Sequence, residues 1–129
     1  EYNVPDLDVE VIPWTKDHEI QDLLKMDIGI YPLIDEKWVA GKSGLKALKY
    51  MALGIPTIAS NIGNSQEVIK HMKDGILVNN EDEWLNAFLL LIDNIDLRKK
   101  LGQQSREKVF QEYTVEKVSK EYNKILLFN

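Results

Sequence analysis

Four short apolar runs, separated by stretches with helical spacing, constrain this chain more than any other feature. They are "DVEVIPW" (8–14), "DIGIYPL" (27–33), "PTIAS" (56–60) and "GILV" (75–78). The first alternates Val9 and Val11 with polar residues before meeting Pro13, the pattern of a short strand. The others are continuous and rich in β-branched and small residues, as strands covered on both faces are. Between the first two, Ile20, Leu23 and Leu24 recur at spacings of three and four and predict a helix over 15–25. A second helix is predicted from about Gly44 to Leu53, with Gly54 as its natural stop. Asn64 with Glu67 reads as a capping box opening a helix through Met72. Asn80 with Glu83 opens another, whose inner stripe is Trp84, Phe88, Leu91 and Ile92. Two more helices, about 95–111 and 114–127, follow, the last capped by Thr114.

Strict alternation of apolar strands with helices means a parallel sheet covered on both faces. Because parallel crossovers are right-handed, the fold class is α/β: a Rossmann-like, doubly wound parallel sheet with C-terminal helices. The usual sheet of this kind has five or six strands, so four predict a piece of something longer. All 129 residues read as one unit.

Composition removes several function classes. A net charge of -5 and a pI near 5.0 exclude a general nucleic-acid binder, which carries a basic face. No cysteine is present, so disulfides and thiolate metal sites are excluded. His18 and His71 lack ligand spacing and read as surface residues on helices. The run "LNAFLLLI" (85–92) is too short to cross a membrane, and the acidic, polar opening residues do not form a leader. A cytoplasmic domain is the expectation.

In doubly wound sheets, ligands bind beyond the carboxyl ends of the strands. Two loops qualify: 32–43 after the second run, and 60–65 after the third. The helix that follows the first loop is unusual. Leu45, Leu48, Met51 and Ala52 fall on the side expected to face the core. Lys42, Lys46, Lys49 and Tyr50 fall on another side. The stretch 41–50 thus carries three lysines and no acid in an acidic chain. Cations at a helix N-terminus oppose its dipole and, at spacings of three and four, repel one another. A bound anion removes both penalties. Free N–H groups of Ser43, Gly44 and Leu45 would point at it, and Gly41 and Gly44 would let it approach. On spacing alone, a solvated lysine face stands equally beside that reading. "GKS" lacks the upstream glycine of a P-loop. Ser43 could cap the helix as well as touch phosphate. Trp38 could stack on a ligand or anchor its loop, and Tyr50 could border a ligand or pack on a neighbour.

The segment "YMALGIPTIASNIGNSQEVI" resembles the core of the nucleotide-sugar-binding C-terminal domain of group 1 (family 4) retaining glycosyltransferases of the GT-B fold. The matching residues are Gly44, Leu45, Met51, Ala52, Gly54, Pro56, Ala59, Ser60, Gly63 and Glu67. "DIGIYPL", "DGILV" and "DLRKKLGQQSREKVFQEYT" resemble further motifs of that family, so the likeness runs over about 17–127. One departure stands out. The family carries two glutamates, the first near the donor sugar and the second binding the ribose hydroxyls. Here those positions are Gly41 and Lys49. In this respect the chain resembles a subgroup with the pattern that Gly41, Lys42, Lys46, Tyr50, Met51 and Ala52 fit.

The resemblance implies a partner and a role. The anion would be the diphosphate of a UDP- or GDP-sugar, held by Gly41, Lys42, Ser43, Gly44, Leu45, Lys46 and Lys49. Trp38, Tyr50 and Glu67 would border the donor pocket. No cofactor or metal is implied. Transfer would proceed with retention, in polysaccharide or glycoconjugate synthesis, with catalytic residues unassigned. The chain would be the donor half of a longer enzyme, inactive alone, whose N-terminal acceptor domain is its partner. It would lie in the cytoplasm, at most peripheral to the membrane. Loss of both glutamates leaves open a non-catalytic nucleotide-sugar or partner-binding module. A receiver-like domain would need aspartates clustered at strand ends, and "IYPL" and "IASN" supply none.

Overall fold

The three continuous apolar runs form the sheet, and the alternating one does not. In this computed structural model, which describes residues 5–34 and 43–127, β1 (Gly29–Tyr31), β2 (Thr57–Ser60) and β3 (Ile76–Val78) pair in parallel in that order. The register sets Ile30 opposite Ile58 and Ile58 opposite Ile76. Residues 8–14 are exposed and irregular, with Trp14 71% accessible, so the expected first strand is corrected to a surface segment. Alternation offers only one apolar face, and among the described residues no neighbouring strand pairs with it.

Six helices complete the described chain: α1 (Glu19–Leu23), α2 (Leu45–Ala52), α3 (Ser65–Val68), α4 (Glu81–Asp93), α5 (Ile95–Glu112) and α6 (Val115–Leu127). With strands in consecutive order, right-handed crossovers put α2 and α3 on one face. There Tyr31 and Ala59 pack with Ala47, Met51, Val68 and Ile69. On the opposite face Ile58, Ile76 and Val78 meet Ala87 and Leu91 of α4 and Leu101 of α5. Successive strand residues thus feed opposite cores, which is why the runs are continuously apolar. None of the described helices is long and apolar enough to cross a membrane.

Several helix expectations need correction. The helix read over 15–25 is regular only at Glu19–Leu23. The one expected to reach Met72 stops at Val68, and Asn64 makes no side-chain cap because its backbone is already helical (φ -64°, ψ -11°). His71 is not helical; it pairs as an isolated bridge with Gly75, and its Nδ1 accepts the Leu77 N–H. Ile92 is 57% exposed rather than inside. By contrast, extended Asn80 accepts from Glu83 N–H at 3.0 Å, as a capping residue should. Thr114 Oγ1 likewise takes the Lys117 N–H. Trp84 and Phe88 pack half-buried against the second core.

α5 clamps the sheet face that carries α2. Its Gly102 lies on the carbonyl of Gly54, and Ser105 Oγ donates to the Gly102 carbonyl at 2.8 Å. Further along, Lys108 Nζ donates to the Val68 carbonyl at 2.6 Å and pairs with Asp74 at 3.3 Å. Asp74 also accepts the Lys70 N–H at 2.7 Å. Both charged side chains are nearly buried, and the extra hydrogen bonds compensate their desolvation.

Candidate functional site

The loops after β1 and β2 meet at one edge of the sheet. Ser60 Oγ, at the end of β2, accepts the Leu33 N–H that follows β1 at 2.8 Å. α2 begins beside them. Its N-cap is Gly44, left-handed at φ 69°, and a Cβ there would stand 3.1 Å from Val68 Cγ2 and 3.8 Å from Asn64 Cβ. α3 and the residue that opens it therefore close directly over the start of α2, which explains a glycine here twice over. No side chain caps α2, and no acid lies in its first turn. Ser43 is exposed and does not cap, a correction to the capping alternative. Among the described residues, the first N–H groups of α2 thus have no acceptor within the chain.

The apolar face of α2 is rotated from the one expected. Ala47, Tyr50 and Met51 are buried, while Leu45 is 57% exposed and Leu48 and Ala52 are half-buried. Tyr50, expected on the lysine face, lies instead on β1: a Cβ on Gly29 would come within 2.7 Å of its ring. Burial pushes the Tyr50 hydroxyl above its ordinary value. Lys46 and Lys49 are exposed, and Lys49 Nζ pairs with Glu19 Oε1 of α1 at 2.5 Å. That ammonium holds the Glu19 carboxyl below the usual range, partial burial opposes it, and the Trp14 indole adds to the lowering.

Between α1, the segment before it and α2 lies a cavity of about 430 Å³. Ile12, Pro13, Trp14 and Leu45 give it apolar walls, and Glu19 and Lys49 stand in its lining. Exposed Trp14 and Leu45 are therefore the walls of a cleft rather than stray surface. Few polar groups against many apolar ones is the make-up of a small-molecule site. Of the residues singled out from the sequence, Leu45, Lys46, Lys49 and Tyr50 come together here, and Gly44 stands next to them as the N-cap of α2. Glu67 does not: it lines a separate polar cleft with Lys70, Asp74 and Lys108. Gly41, Lys42 and Trp38 lie outside the described residues. Sequence reasoning missed Trp14 and Glu19, because 8–14 was read as a strand and 15–25 only for its apolar spacing.

A parallel sheet with helices on both faces defines a Rossmann-like α/β domain. The sequence profile of the family Glycosyl transferases group 1 matches residues 5–108, and the chain belongs to that family. It is 30% identical over 112 residues to the N-acetyl-alpha-D-glucosaminyl L-malate synthase of Bacillus anthracis, covering 85% of this chain and 28% of that protein. The C-terminal domain of the glycosyl transferase group 1 family protein LpcC from Francisella tularensis superposes with a TM-score of 0.64 at 29% identity. That match covers 81% of this chain and 53% of that one. HepE of Anabaena, solved in complex with UDP, shares the fold with a TM-score of 0.68 at 16% identity, over 84% of this chain and 29% of its own. The fold is that of the C-terminal domain of GT-B glycosyltransferases. The chain spans 28% of the length of the Bacillus anthracis synthase, well under two thirds.

Proposed function

We propose that this chain is the donor-binding part of a glycosyltransferase that moves a sugar from a UDP- or GDP-sugar to an acceptor with retention, in polysaccharide or glycoconjugate synthesis. The observation that carries the reading is the start of α2: uncapped, free of acids, and set where the loops after β1 and β2 converge. Backbone N–H groups at a helix N-terminus bind phosphate oxygens, and the dipole favours their charge. Lys42, Ser43, Gly44 and Lys46 surround that point along the chain, with Gly41 allowing close approach. The flat base has apolar walls available at Pro13, Trp14 and Leu45. The UDP held by HepE supports a nucleotide on this fold.

The chemistry follows from the charge. As the glycosidic bond to the donor breaks, negative charge grows on the departing diphosphate. Preorganised N–H groups and lysines stabilise that charge without a metal. The acceptor and the remaining walls of the cleft come from the rest of the polypeptide, so this chain alone is inactive. The enzyme works in the cytoplasm, at most peripherally on the membrane. Lysine at position 49, where the resemblance implies glutamate, favours a second reading: a module that binds nucleotide sugar without turning it over.

Calorimetric titration of the full-length polypeptide with UDP and GDP tests the proposal. One nucleotide should bind, and Lys42→Ala should weaken it about tenfold, the effect of one charge-assisted hydrogen bond. Binding of neither would overturn the donor site. Binding without transfer or donor hydrolysis would favour the non-catalytic module.

A further inference from the structure

The cavity beside α2 contains a carboxylate to which the proposed donor site gives no task. Glu19 opens α1, lines the cavity and accepts from Lys49 Nζ at 2.5 Å. The pair is not a buried tie: the side chains are 24% and 43% accessible, Glu19 and Lys49 respectively. A lysine ammonium has donors only, whereas an ionised carboxylate offers about four acceptor positions on two oxygens. Lys49 and the Trp14 indole use part of that capacity, and the remainder is available in the cavity. Asp22 also lines the cavity, but its Oδ1 is engaged by Lys25 at 2.8 Å.

What such a group recognises follows from charge and position. Glu19 and Lys49 together are neutral, and Lys46, the other lysine in the lining, lies nearer the start of α2, so the Glu19 end of the cavity suits an uncharged partner bearing hydroxyl donors rather than a phosphate. Lys49 lies about 6 Å along α2 from Leu45, one helical turn past the open N–H groups. The apolar walls of Pro13 and Trp14 stand in the same cavity. A nucleotide presents base, pentose diol and diphosphate in that order, and the diol is its neutral donor part.

We propose that Glu19 is a specificity-determining residue of this site, its carboxylate accepting the paired hydroxyls of the donor's ribose while Lys49 holds it in place. This rests on the donor-site reading above. If the pair were only a strut between α1 and α2, its loss would weaken ribo- and deoxyribonucleotides alike. If Glu19 binds the diol, its loss is felt by the ribonucleotide alone.

The test is calorimetric titration of the full-length polypeptide with UDP, GDP and their 2′-deoxy counterparts. Wild type should prefer the ribonucleotide about tenfold, the worth of one hydrogen bond to a charged group. Glu19→Gln should cut that preference to about twofold or less, with 2′-deoxy affinity unchanged. Should this variant fail to fold, Glu19→Asp keeps the charge but shortens the reach, and must also reduce the preference. A preference retained in either folded variant, or absent from wild type, overturns the assignment of Glu19 while leaving the donor site intact. No binding of any of the four by wild type overturns the donor reading and this inference with it.

Discussion

Gly102→Ala should destabilise this protein, against the sign that alanine usually has inside a helix. Gly102 sits within α5 and is buried. A methyl group there would stand 2.1 Å from the carbonyl oxygen of Gly54 and 3.0 Å from its carbonyl carbon. Both atoms are backbone, so neither can swing aside as a side chain would. Gly54 is itself fixed: it is left-handed at φ 73°, and the turn it closes is held by Gly54 N–H to the Met51 carbonyl and Ile55 N–H to the Tyr50 carbonyl, each 3.0 Å. To admit the methyl, α5 must move off α2 by roughly 1 Å or more, loosening the Ser105 contact as well.

Overpacking costs about 1–3 kcal/mol, and a rigid backbone on the far side puts this site at the upper end. Against that, alanine gains about 1 kcal/mol over glycine in a helix interior. The net is a loss of about 2 kcal/mol, or a fall in thermal midpoint of roughly 8 °C for a chain of this size. Far-UV circular dichroism melting measures it directly. Amide exchange should quicken in α2 at Ala47–Met51 more than in α4, since α2 is the partner being displaced. An unchanged or raised midpoint would refute the reasoning, for it would mean that helix propensity outweighs the contact.

Two other perturbations bear on what holds the fold around the site. Lys108→Met leaves Asp74 buried without its cation and should cost about 3 kcal/mol by urea denaturation, whereas Lys108→Met with Asp74→Asn, which keeps the acceptor for Lys70 N–H, should recover much of it. At the start of α4, hydrogen bonds from the Asn79 backbone and side chain hold the Glu83 carboxyl below its ordinary value of 4.5. A lowered folded value means that this stabilisation is complete above 4.5 and fades as pH falls through the folded value, so Glu83→Gln should flatten the acid limb of a stability–pH profile without changing its slope near neutrality.

What could be read from the sequence was whatever is settled locally. The strands at 29–31, 57–60 and 76–78 were legible because burial on both faces leaves an unbroken apolar run. "DVEVIPW" carried a genuine alternation, but alternation states only that one side is apolar, not what covers it. The two Asn-x-x-Glu patterns were indistinguishable as sequence, yet Asn80 is extended and caps while Asn64 is helical and cannot. The period of α2 was legible and its phase was not. Ala47, Tyr50 and Met51 keep helical spacing, but which residues turn inward is decided by Gly29, whose missing side chain leaves room for the Tyr50 ring across the sheet.

The same distinction separates the two halves of the candidate site. An open helix start flanked by lysines is a local property, visible in ten consecutive residues. The cavity is not: its walls come from Ile12–Trp14, its carboxylate from α1 and its lysine from α2, thirty residues on from Glu19. Read along the chain, Lys49 stands where the resemblance implies a carboxylate. In the folded chain a carboxylate stands 2.5 Å from that lysine's ammonium, delivered by another helix. A charge missing at one position is therefore no measure of the charge present at a site, and the side chain at position 49 has to be judged together with its neighbour at 19.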